Sequence, residues 1–96
     1  MVSIEQQNVI RQVLAPYRPK RIAVFGSRAR GEERADSDLD LLVDLQKEID
    51  LLELIGIEQE LSERLNIKVD IVMDRSVNPR LRPFIMQDLI EISAAA

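Results

Sequence analysis

Cysteine, histidine and tryptophan are all absent from this 96-residue chain. Without cysteine there is no disulfide, no zinc–thiolate site and no thiol nucleophile. Without histidine there is no Ser–His triad, no imidazole base and no imidazole metal ligand. Any catalysis must use carboxylates, hydroxyls, Lys, Arg or a bound metal. Aromatic residues make up only 3%, so the core must be built from Ile, Leu and Val. No apolar run approaches the ~18 residues of a membrane helix. The N-terminus lacks a basic stretch followed by an apolar one, so no secretory leader is expected and a cytoplasmic protein is the default. Positive charge is also in short supply: 13 Lys and Arg face 17 Asp and Glu, for a net charge of −4. That balance argues against broad nucleic-acid binding, which needs a basic face.

What remains is a chain long enough for one domain, residues 1–96, with one core. Ser3 and Gln6 form a capping-box pattern ahead of Ile4, Ile10, Val13 and Leu14, which predicts a helix over 4–14. Pro16 and Pro19 end it. Residues 21–25 read as a strand stopped by Gly26, residues 27–31 as one or two helical turns, and residues 32–37 as a polar loop. A second strand is predicted over 39–45 and an amphipathic helix over 50–65, with Asn66 as its C-cap and Gly56 as a weak point inside it. A third strand is predicted over 67–73. A last helix opens at Asn78-Pro79 or at Pro83, with Leu81, Ile85, Leu89 and Ile92 on one stripe. The order is α–β–(short α)–β–α–β–α. No repeat or linker divides it, and the only low-complexity stretch is the tail Ala94, Ala95, Ala96.

The acids in the strands are arranged by parity. Successive strand side chains point to opposite faces. Asp38, Asp40 and Asp44 therefore share one face of the second strand, while Leu39, Leu41, Val43 and Leu45 share the other. The third strand repeats this, with Asp70 and Asp74 opposite Val69, Ile71 and Met73. If the two strands are neighbours, Asp38, Asp40 and Asp70 converge. Carboxylates so close repel unless a proton or cation intervenes. Mg²⁺ suits an all-oxygen site that also binds phosphates, and Mn²⁺ is not distinguished from it. Three aspartates can hold two ions about 3.5–4 Å apart, an arrangement that stabilises attacking and leaving oxygens. The competing reading is an amphipathic strand with a solvated acidic face.

Upstream, Gly26 permits close backbone approach, and the amides after it with the Ser27 hydroxyl suit a phosphate. A simple turn is the alternative. Arg28, Arg30 and Arg34 form a local basic patch able to attract a triphosphate, or else a polar loop with salt bridges to Glu32 and Glu33.

Taken together these residues resemble a family. Gly26 and Ser27, ten intervening residues and then Asp38, Leu39 and Asp40 match the signature of the DNA-polymerase-beta-like nucleotidyltransferases. The run Gly26, Ser27, Arg28, Ala29, Arg30, Gly31, with Ser37 and Leu41 flanking the two acids, is similar to the minimal nucleotidyltransferase (MNT) family. Val69, Asp70, Ile71 and Val72 resemble that family's third-carboxylate strand. The resemblance implies an α/β (α+β) fold, a small mixed sheet with flanking helices. It implies metals held by Asp38, Asp40 and Asp70, and a triphosphate contacted by Gly26 and Ser27, with Arg28 and Arg30 as further phosphate-binding candidates. It also implies transfer of AMP from ATP to a hydroxyl, with Asp70 on the acceptor side. Asp74 has the same parity but lies at the strand end, so it is expected to be dispensable. Members of this size typically act as antitoxins paired with a HEPN-domain ribonuclease toxin, whose tyrosine takes the AMP, so a hetero-oligomer is expected. Two competitors stand beside this reading. One is a non-catalytic antitoxin that binds its partner through the Leu81, Ile85, Leu89 and Ile92 stripe with Phe84. The other is an RNA-tailing enzyme, which the acidic balance and the lack of an RNA-binding domain disfavour.

Overall fold

The first helix, α1 (Ile4–Leu14), begins where the Ser3 side chain accepts from the Gln6 backbone N–H at 3.1 Å and Gln6 accepts from the Ser3 N–H at 2.9 Å. Such a cap is worth about 1 kcal/mol. A computed structural model describes residues 2–32, 34 and 37–92. After a 3-10 turn at Ala15–Tyr17 come β1 (Pro19–Phe25), the one-turn helix α2 (Ser27–Arg30) and β2 (Leu39–Leu45). Then α3 (Leu51–Leu65), β3 (Val69–Met73), a 3-10 turn at Asp74–Ser76, α4 (Arg82–Gln87) and β4 (Ile90–Ile92) complete the described residues.

The sheet has the order β3-β2-β1-β4. The central pair β1–β2 is antiparallel, β2–β3 is parallel and β1–β4 is antiparallel. The mixed sheet matches the expected fold class. Its parity also matches: Leu39, Leu41, Val43, Val69 and Ile71 are buried, against half-buried Asp40, Asp44 and Asp70. The aliphatic face joins Ile22, Val24 and Ile92 in one core with Ile10 and Leu14 of α1 and Ile57 and Leu61 of α3. The acids occupy the face these two helices leave uncovered.

A second capping box opens α3. Asp50 accepts from the Glu53 N–H at 2.8 Å, and Asn66 closes the helix in the left-handed conformation (φ 55°). Gly56 lies inside this helix without interrupting it. The free edge of β3 is capped by the same helix. The N–H groups of Val69 and Ile71 donate to Ser62 Oγ (2.9 Å) and Glu58 Oε2 (2.8 Å). Glu58 and Ser62 lie four residues apart and so share a helix face. An otherwise open strand edge, a hazard for aggregation, is thereby occupied.

The last helix departs from expectation. It spans only Arg82–Gln87, and the chain then leaves the helical region at Asp88 (φ −115°, ψ 20°). Residues 90–92 form a fourth strand instead, with Ile90 beside Val24 and Ile92 beside Ile22. Leu89 and Ile92 therefore do not continue a helical stripe. Pairing satisfies the outer backbone groups of β1, which a longer helix would leave open, and it buries Ile92 in the core. The Ala94–Ala96 tail lies outside the described residues. Among those described, no helix is long and apolar enough to cross a membrane.

Candidate active site

One row of side chains crosses three strands on the uncovered face. Phe25 of β1 sits beside Asp40 of β2, and Asp40 beside Asp70 of β3. Neighbouring strands are about 4.8 Å apart, so the two carboxylates compete for the same space. Asp38 precedes β2 by one residue and is half-buried, with Lys68 Nζ 3.9 Å from its Oδ2. The pKa of Asp40 is raised from its ordinary value. Partial burial is the main cause, the charges of Asp70 and Asp38 add to it, and Arg30 pulls the other way. The three acids expected from parity thus share one electrostatic environment.

Gly26 ends β1 with φ 77° and ψ −157°, a conformation essentially reserved for glycine. A Cβ there would stand 2.4 Å from Asp40 Oδ2. Sequence reasoning asked for glycine so that a phosphate could approach. The neighbour a side chain would actually strike is the carboxylate. Ser27 opens α2 and is half-buried. With a single turn, α2 has little macrodipole, so any anion there would rely on individual N–H and O–H groups.

The arginines divide. Arg30 pairs with Glu32 at 3.1 Å and reaches toward Asp88 at 3.8 Å, leaving its guanidinium near the acids. The polar-loop reading is right for this pair; its other half, Glu33, lies outside the described residues. Arg28 was a phosphate candidate, and the structure does not bring it to the site. Its Nε and Nη2 donate to the Ser37 carbonyl at 3.2 and 2.8 Å, which ties the loop before Asp38 to α2. It borders a hollow with Val2, Val24 and Ile92, side chains of the helix-covered side. An α-helix turns about 100° per residue, so Arg28 and Arg30, two residues apart, leave α2 on nearly opposite sides. Asp74 accepts from Arg82 at 2.8 Å, and Asp44 lies 3.9 Å from Arg75. Both are ion-paired beyond the Asp40–Asp70 row.

The acids fit a divalent cation in chemistry. They are hard oxygen donors, and burial together with the neighbouring acids raises one of them, the part due to like charge being what a cation would reverse. As the side chains stand, no group of three acids among the described residues closes on one ion.

A cavity of about 530 Å³ adjoins the row. Phe25, Val72, Val77, Leu81, Phe84 and Ile85 line it, together with Gly26 and Arg30. Sequence reading missed most of these residues. Val72 shares the parity of Asp70, which was a usable signal. The helical stripe of Leu81 and Ile85, with Phe84 beside it, reads from the sequence as core packing or as a docking face on a longer helix, not as the wall of a cavity.

The family described as "Polymerase beta, Nucleotidyltransferase" matches residues 8–94. A Methanocaldococcus jannaschii protein, provisionally named a protein adenylyltransferase, is 47% identical over 77 residues, covering 79% of each chain. The protein adenylyltransferase MntA of Thermococcus cleftensis is 36% identical over 73 residues, covering 76% of this chain and 74% of that one. A solved structure provisionally described as a minimal nucleotidyltransferase is 38% identical, with TM-score 0.76, covering 90% of this chain and 88% of that one. The fold also matches a chain in a toxin–antitoxin structure with AMP-PNP, with TM-score 0.82 and 24% identity over 93% of this chain and 73% of that one.

Proposed function

Because the chain belongs to the polymerase-beta nucleotidyltransferase family, we propose that it moves AMP from ATP onto a hydroxyl of a partner protein. The observation that carries this reading is the side-by-side placement of Asp40 and Asp70, with Gly26 against the same carboxylate. Relatives named as protein adenylyltransferases support the choice of donor and acceptor class.

In this mechanism Asp38, Asp40 and Asp70 would hold Mg²⁺ or Mn²⁺. When bound, such ions offset phosphate charge and favour ionisation of an attacking hydroxyl. Ser27 Oγ donates to a phosphate oxygen, and Arg30 supplies positive charge beside it. Gly26 keeps the space that Asp40 needs. The acceptor oxygen bonds to the α-phosphorus, the bond from that phosphorus to the pyrophosphate oxygen breaks, and pyrophosphate leaves. The acceptor proton passes to Asp70. Holding the reactants in line supplies much of the acceleration in such transfers.

The acceptor in this reading is a tyrosine of a HEPN-domain toxin, and the modification silences the toxin. A chain of similar fold occurs in the complex of tri-AMPylated Shewanella oneidensis HEPN toxin with MNT antitoxin. The protein then works as an antitoxin in a cytoplasmic hetero-oligomer. The test is the intact mass of a co-expressed HEPN partner after incubation with ATP and Mg²⁺, alongside its ribonuclease activity. Wild type should add AMP to the partner and silence it, and Asp38→Asn should do neither. Silencing by Asp38→Asn with no mass increase would replace this reading with neutralisation by binding alone.

A further inference from the structure

We propose that the apolar cavity beside Asp40 holds the nucleobase of the donor nucleotide. The inference rests on the nucleotidyltransferase reading and adds the place of the base to it. Three observations carry it. First, the cavity shares Gly26 and Arg30 with the cluster assigned to the phosphates, so one ligand can span both. Second, Asp70 does not line this cavity. It borders a separate groove of about 450 Å³ with Ile55, Ser62 and Lys68 along the β3 edge. The donor therefore lies on the Gly26 side of the carboxylates, away from the groove between β3 and α3.

Third, the lining suits a flat heteroaromatic ring. Phe84 offers an aromatic face at 73% exposure, with Leu81 also exposed and unspent on the core. The hydrophobic floor comes from Phe25 and Val72 on the sheet. Asn78 also borders the cavity, and its Oδ1 accepts from the Arg80 N–H at 2.9 Å. Its amide N–H₂ is thus the half left to donate to a ring nitrogen or carbonyl. Apolar walls with a few placed polar groups are the usual make-up of small-ligand sites.

The test compares ATP with inorganic tripolyphosphate, which has the charge but no base. Both are titrated calorimetrically with Mg²⁺ into wild type, Phe84→Ala and Val77→Trp. Phe84→Ala removes an exposed ring and should leave the fold intact, and Val77→Trp fills the cavity. Each should weaken ATP about ten-fold, the scale of one lost base–aromatic stack, while tripolyphosphate affinity stays unchanged. Unchanged ATP affinity in Phe84→Ala, or equal weakening of both ligands, would overturn the base site. So would intact ATP affinity with lost transfer, since the cavity would then receive the acceptor. Wild type binding neither ligand would remove the nucleotide reading itself, and the base site with it.

Discussion

A side chain at residue 26 would displace the carboxylate of Asp40 from its place. An added Cβ would lie 2.4 Å from Asp40 Oδ2, on a backbone with φ 77°. Gly26 therefore positions a carboxylate as well as leaving room for a ligand.

Gly26→Ala should accordingly act twice. Occupying a glycine-only backbone region costs about 1–3 kcal/mol, readable by urea denaturation. Displacing Asp40 should cut AMP transfer by orders of magnitude even where the protein remains folded. Wild-type transfer by folded Gly26→Ala would mean that the Asp40 position is not critical.

Asp40 should give a pH signature. Its pKa is raised in the folded state, so the folded protein holds this proton more tightly than the unfolded chain does. The resulting penalty to stability starts as pH rises through the ordinary aspartate value near ~4. It is complete above the raised folded value and is relieved as pH falls back through that window. Asp40→Asn should therefore raise Tm at neutral pH in EDTA, with the advantage vanishing in acid. Mg²⁺ should raise the wild-type Tm and do much less for the variant. A lower Tm for Asp40→Asn at neutral pH would contradict the penalty from burial and like charge described for this row.

Asp70 and Asp74 separate site from scaffold. Asp70→Ala should abolish transfer with little change in Tm. Asp74→Ala breaks the 2.8 Å pair with Arg82, costing on the order of 1 kcal/mol, and should retain transfer. Transfer rates normalised to folded protein check both, and equal losses in the two variants would refute the distinction.

The arginines should also part company. Arg28→Ala loses two bonds to the Ser37 carbonyl. Charged hydrogen bonds contribute about 1.5–3 kcal/mol, so it should lower Tm measurably. Arg30→Ala should leave Tm nearly unchanged and weaken ATP, with the gap to wild type shrinking at high salt as charges are screened. Calorimetric titration at two ionic strengths, with melting curves, decides this. Weaker ATP binding in Arg28→Ala at unchanged Tm would return that residue to the phosphates.

Much of the fold was legible because its signals are local. Ser3 with Gln6 and Asn66 after Leu65 mark helix ends through bonds to nearby backbone. The alternation through residues 38–45 sorts acids from aliphatics whatever the neighbouring strand is. Parity could place Asp38, Asp40 and Asp70 on matching faces, but only the parallel pairing of β2 with β3 put Asp40 beside Asp70. The same limit hid β4. Residues 81, 85, 89 and 92 repeat at helical spacing, while Ile90 and Ile92 alternate as a strand. Three residues of alternation are too few to outweigh that pattern until the unpaired edge of β1 is present. The aim of Arg28, the carboxylate against Gly26 and the cavity beneath Phe84 likewise depend on residues distant in the chain. Local preferences are written in bonds between near neighbours. Register, contact and enclosure exist only once the backbone has brought separate segments together.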